Sequence, residues 1–164
     1  EITGAVALAQ LDKLDASVNA RMARAAELCE ALKDIDGLSL PTPGAGRRHT
    51  YWRFCLDVCA EKIPGGTDAL GDALRKHGIG CAPRYIQKPA FRCQVFRDQR
   101  TFGSSRYPFS LARPEAVSYV DANFAGTLEG LARVLVLPWN EKFTPSDIDF
   151  IAEVTRQAVA DLQS

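Results

Sequence analysis

The sequence predicts an α+β fold, a small and mostly antiparallel sheet with helices on one face, preceded by a long helix. Three observations carry this. Apolar residues recur at helical spacing along the first 35 positions. The aromatic-rich run His49 to Val58 partly alternates as a strand does. Short strand and helix signals then follow one another to the end of the chain, the pattern of elements layered around one core.

The first element rests on Ile2, Val6, Leu11, Leu14, Val18, Met22, Leu28, Leu32 and Ile35, with alanines between them. Gly37 stops it, followed by Pro41 and Pro43. An unbroken helix over residues 1–36 would run roughly 50 Å, so it must bend or project past the body of the domain. It opens on Glu1 with no Ser, Thr, Asp or Asn cap, as if the chain began inside a helix.

Leu38 to Leu40 reads as a short strand and His49 to Val58 as a longer one. Thr67 is the expected cap of a helix through Leu70 and Leu74 that Gly78 ends, and Ile79 to Tyr85 returns as a strand. Residues 86–123 show little periodicity but many aromatics and arginines; a stretch this long without regular structure is often functional. A short helix at Thr127 to Ala132 leads into the strand Val134 to Leu137, closed by Pro138. The last helix starts at Thr144-Pro145-Ser146-Asp147, with a cap, a proline at the first helical position and an acid in the first turn. Its stripe is Ile148, Ile151, Val154, Ala158 and Leu162.

Composition narrows the function classes. The chain has 164 residues, 46% hydrophobic and 24% charged, enough for one domain that buries on the order of 70% of its unfolded surface. Collagen-like, low-complexity and disordered classes are excluded. No apolar run reaches the length of a spanning helix, and no signal peptide opens the chain. The net charge of zero argues against nucleic acid or a membrane surface as a partner. Five cysteines and two histidines form no zinc spacing; the odd count and missing secretory signal suggest reduced, buried thiols and a cytoplasmic protein.

The charge is segregated within that zero. Residues 84–113 hold seven cations against Asp98, a balance of +6, whereas Glu115 to the end carries eight acids and three bases, a balance of −5. Either the two regions neutralise each other or the basic one binds an anion. Within it, Arg84-Tyr85-Ile86-Gln87-Lys88 sets two cations and a phenol at a strand end, a grip on phosphate or carboxylate or else surface charge at a loop entrance. His49 and His77 read as a packed or surface imidazole and a helix C-terminal partner, Trp52 and Trp139 as core or interface aromatics, and Thr101 to Ser105 as a turn. No Gly-rich phosphate loop, nucleophile elbow or His-Glu metal motif is present.

Several stretches together resemble one family, the DegT/StrS sugar and cyclitol aminotransferases. Glu1 to Asp15 (EITGAVALAQLDKLD) is similar to the helix after the family's Asn-Tyr-Arg-Met motif, and His49-Thr50-Tyr51-Trp52 to the aromatic strand that opens its small domain. Leu74 to Gly80 with Arg84-Tyr85 resembles a helix-turn-strand that delivers substrate contacts. Leu135-Val136-Leu137-Pro138 with Phe143 to Ile148 resembles the closing strand and last helix.

The resemblance implies the small domain of a fold type I, pyridoxal 5'-phosphate-dependent transferase. It implies residues 1–36 as a connecting helix, 37–164 as the carboxyl-terminal domain, and a large domain, in the same or a separate chain, that holds the Schiff-base lysine. None of the six lysines (Lys13, Lys33, Lys62, Lys76, Lys88, Lys142) sits in the family's context for that role, so this chain alone is expected to be inactive and not to bind the cofactor. The complete homodimer would move an amino group from glutamate or glutamine to a keto sugar, often nucleotide-linked, or a keto cyclitol. Arg84, Tyr85 and Lys88 are the implied substrate contacts, with His49 and Tyr51 near the cleft between domains. The competing expectation is a non-catalytic α+β module for metabolite binding or assembly.

Overall fold

The computed structural model describes residues 1–164. Two helices, Ile2–Leu11 (α1) and Leu14–Leu32 (α2), lead into the short strand Leu38–Ser39 (β1) and the longer Arg53–Val58 (β2). Gly66–Lys76 (α3), Ala82–Pro83 (β3) and the single turn Gln94–Arg97 (α4) follow, then Ala125–Arg133 (α5), Val134–Pro138 (β4) and Pro145–Gln163 (α6). The four strands form one antiparallel sheet in the order β1-β2-β4-β3.

β2 shows why one face carries the core. Phe54, Leu56 and Val58 are buried, while Arg53, Cys55 and Asp57 between them are only part-buried, the alternation of a strand with unlike faces. In register with them, Leu137 and Leu135 of β4 join the same core, together with side chains from α2, α3 and α6. Val136, paired with Cys55 and Ala82, is buried on the opposite face and lies outside that core.

α6 begins as its sequence dictates. Thr144 accepts from the Asp147 N–H at 3.3 Å and Asp147 accepts from the Thr144 N–H at 2.8 Å, a complete capping box. Its buried face is broader than the predicted stripe, adding Ala152, Thr155 and Val159, because it packs against both α2 and α3.

The expected single helix over 1–36 is instead two helices, broken at Asp12 and Lys13. There the Lys13 N–H donates to the Gln10 carbonyl, an i to i−3 bond that tightens the turn, and no glycine or proline marks the place. Of the predicted stripe only Leu28, Leu32 and Ile35 reach the core, joined by Ala25. α1 buries nothing, and Ile2 is 84% exposed.

The predicted strand His49 to Val58 shortens to β2, because Tyr51 takes a left-handed φ of 48° that breaks extension. The predicted strand Ile79 to Tyr85 shortens to Ala82–Pro83, the two residues that pair with β4, and it ends there because Arg84 has φ 47°. Thr67 is not a cap. α3 starts two residues earlier, from Gly65, whose φ of 78° suits glycine, and Thr67 lies buried inside the helix with its hydroxyl donating to the Ala132 carbonyl at 3.0 Å. Gly71 lets α3 approach β3: a Cβ there would lie 2.4 Å from Pro83 Cγ.

Residues 86–123 form α4 and short 3₁₀ turns rather than a regular element. A second aromatic cluster organises them, with the rings of Phe91 and Phe124 stacked at 4.1 Å and Tyr119 meeting Phe96 at 5.3 Å and Phe109 at 6.2 Å. No helix is long and apolar enough to cross a membrane.

Candidate substrate-side site

His49 and Tyr51 are held where the loop from β1 turns into β2. The Tyr51 N–H donates to His49 Nδ1 at 2.9 Å, and the rings pack with centroids 4.2 Å apart. An accepting Nδ1 leaves the imidazole proton on Nε2 when the ring is neutral. Tyr51 itself is 6% exposed and belongs to the core. Its hydroxyl donates to the Pro41 carbonyl at 3.0 Å, and burial pushes its pKa up. Tyr51 therefore fixes His49 and the loop more than it offers a free phenol.

Both residues line a cavity of about 490 Å³ between α2 and this loop, with Met22, Cys29, Arg47 and Arg48. Arg48 is committed to Asn19 Oδ1 at 2.9 Å, whereas Arg47 has no carboxylate partner. The Cys29 thiol, pushed up by burial, is a neutral wall of the cavity.

Arg84, Tyr85 and Lys88 follow β3. The Arg84 N–H donates to the Val134 carbonyl at 2.8 Å, and the Gln87 amide donates to the carbonyls of Pro83 and Arg84, closing the turn. The Arg84 guanidinium lies 3.1 Å from the Asp68 carboxylate in the first turn of α3, an exposed pair that holds position more than it stabilises. It also lines a separate cavity of about 180 Å³ with Pro89, Arg92 and Leu128. The two cavities share no residue, so the structure brings His49 together with Tyr51 and sets Arg84 apart from them. Lys88 is exposed and unpaired, next to the buried Pro89.

Arg53 and Trp52 bridge these groups, and neither stood out in the sequence as a site residue. The Arg53 guanidinium lies 4.9 Å from the Trp52 ring centroid and 5.7 Å from that of Tyr85. Trp52 is not a core residue; it is 66% exposed, and Trp139 alone of the two tryptophans is buried. The available signal was an arginine on the non-core phase of the strand, flanked by aromatics.

The basic stretch 84–113 is neutralised only in part by the acidic end of the chain. Arg92 pairs with Asp121 at 2.6 Å, but Arg97 pairs with its neighbour Asp98 and Arg84 with Asp68. The Arg92 and Arg97 partners hold the Asp121 and Asp98 carboxyls below the usual range. Lys88, Arg100, Arg106 and Arg113 form no ion pair, although Lys88 and Arg100 lie near enough to Asp98 to help hold its carboxyl low. Thr101 to Ser105 is a turn in which the Ser105 hydroxyl donates to the Phe102 carbonyl at 3.3 Å.

A lysine that anchors a carbonyl cofactor must shed its proton, which burial or a neighbouring cation promotes. All six lysines are exposed, and the ammonium groups of Lys33 and Lys62 are held protonated by the hydrogen bonds they donate to the Glu30 and Asp36 carboxylates. The lysines of this chain do not fit that anchoring role. The five cysteines are free and half-buried, and no group of three His, Cys, Asp or Glu side chains is placed to hold a metal ion.

The sequence model of the DegT/DnrJ/EryC1/StrS aminotransferase family matches residues 1–156. This chain belongs to that family. Its fold is similar to the aminotransferase TlmJ from Streptoalloteichus hindustanus, at 22% identity and a TM-score of 0.63 over 95% of this chain and 35% of that one. It is similar to the sugar aminotransferase CalS13 from Micromonospora echinospora, at 19% identity and 0.66 over 94% and 34%. A GDP-4-keto-6-deoxymannose-3-dehydratase with a trapped PLP-glutamate geminal diamine shares the fold at 18% identity and 0.61 over 93% and 34%. The family member therefore spans about a third of the length of these structures.

Proposed function

We propose that this family member is the substrate-side, carboxyl-terminal part of a pyridoxal 5'-phosphate-dependent aminotransferase, corresponding to the small domain of a fold type I enzyme. The family match along residues 1–156 carries the reading. The fold shared with sugar aminotransferases over more than nine-tenths of the chain supports it. Residues 1–36 connect, 37–164 form the domain, and a large domain in the same or a separate chain supplies the lysine that anchors the cofactor. The cofactor would contribute an electron sink for amino transfer. The complete enzyme acts as a cytoplasmic homodimer.

The reaction moves an amino group from glutamate or glutamine to a keto sugar, often nucleotide-linked, or a keto cyclitol. Arg84, Tyr85 and Lys88 receive the substrate, His49 lines the approach, and Tyr51 positions it. The exposed Lys88 offers a cation, and the Nε2 of His49 is free of the contact that fixes the ring.

The test is isotope transfer by the complete enzyme, supplied with amino-¹⁵N-labelled glutamate or amide-¹⁵N-labelled and amino-¹⁵N-labelled glutamine and with keto sugars, nucleotide-linked or free, and keto cyclitols. Mass spectrometry should find the label on one acceptor class. A deoxygenated keto product without nitrogen, the outcome a dehydratase would give, or no label in any acceptor contradicts the reading.

A further inference from the structure

The outer face of the sheet carries an arginine whose chemistry is unsatisfied. Arg53 opens β2 opposite Pro138, on the phase of the strand that turns away from the helical core. Its Nε is buried and has no hydrogen-bond partner, and its guanidinium forms no ion pair. An N–H shut away from water without an acceptor is unfavourable, and more so on a charged group. A guanidinium has only donors to offer, so the missing partner is an acceptor.

The surroundings specify what kind of acceptor. Trp52 at 4.9 Å and Tyr85 at 5.7 Å flank the guanidinium, and aromatic neighbours of this kind restrict the fork without consuming its N–H groups. Cys55, next on the same face, is kept a neutral thiol by burial. Arg84, beside Tyr85, spends its charge on Asp68, while Lys88 remains an unpaired cation three residues past Tyr85.

We propose that Arg53, held between Trp52 and Tyr85, recognises the carboxylate or phosphate oxyanion of a small-molecule substrate. The inference deepens the proposed function, on which it rests, by adding a specificity-determining residue beside Tyr85. A carboxylate would come from the amino donor and a phosphate from the amino acceptor.

The experiment is an equilibrium titration of the 164-residue chain, read by the fluorescence of the exposed Trp52 over the constant background of buried Trp139. Sodium L-glutamate and inorganic phosphate serve as separate probes at constant ionic strength. A saturable change with either is expected, and the probe bound more tightly identifies the source of the anion. Arg53→Gln should weaken that binding at least tenfold. Arg53→Lys, which keeps the charge and loses the planar fork, should weaken it at least threefold. Tyr85→Leu, which leaves β2 untouched, should weaken it severalfold and keeps the question answerable if changes at Arg53 prevent folding. Saturation by neither probe, or Arg53→Gln and Tyr85→Leu variants that bind within twofold of the unaltered chain, overturns the proposal. Because the readout is binding without turnover, its failure is distinct from a failure to find amino transfer.

Discussion

The Thr67 hydroxyl donates to the Ala132 carbonyl across 3.0 Å, joining the first turn of α3 to the last turn of α5. That carbonyl lies beyond the reach of its own helix's hydrogen-bond ladder, so the threonine supplies the partner a helix end lacks. Thr67→Val keeps the shape and removes the donor. It should cost about 1–3 kcal/mol, read as a lower urea midpoint at unchanged m-value, and Thr67→Ser should restore most of it.

Gly71→Ala pits helix propensity against packing. Propensity alone favours alanine by about 1 kcal/mol, but the new Cβ would meet Pro83 Cγ at 2.4 Å. Destabilisation is the expected outcome in thermal unfolding, because a proline ring on a paired strand yields less readily than a flexible side chain.

The capping box of α6 predicts a pH dependence. Hydrogen bonds from the Thr144 hydroxyl and N–H hold the Asp147 carboxyl below its ordinary range. Its contribution is therefore complete above the unfolded pKa and lost as pH falls through the lower folded one. Thr144→Ala should lower the melting temperature by about 2–4 °C near neutrality. The difference from the unaltered protein should shrink in acid.

The two halves of the first helical segment should respond to substitution very unequally. Leu28 is fully buried in α2, and Leu28→Ala should cost about 2–5 kcal/mol. Leu8 in α1 is 67% exposed, and Leu8→Gln should change stability by less than about 0.5 kcal/mol. Denaturant titrations of both variants check the assignment.

These contrasts mark what the sequence could and could not convey. The start of α6 was legible because its cap, proline and acid lie within four residues and act locally. The apolar stripe of α1 was legible as a helix but not as exposed, since periodicity reports a face and not what covers it. Thr67 looks like a cap until Ala132, 65 residues away, claims its hydroxyl. The Arg84-Tyr85 stretch stood out by local composition, whereas the role of Arg53 depends on Tyr85, 32 residues away and brought into the same sheet because β2 and β3 both pair with β4. The family resemblance held across residues 1–156 because it drew on motifs in chain order rather than on any one of them.

The central claim is that this chain supplies the substrate side and another domain supplies the cofactor-anchoring lysine. Pyridoxal 5'-phosphate should be added to the 164-residue chain at a one-to-one ratio, reduced with borohydride and located by peptide mass spectrometry. The account predicts sparse labelling spread over the exposed lysines, with no single site approaching full occupancy. Stoichiometric labelling of one lysine, accompanied by amino transfer from glutamate, would contradict it.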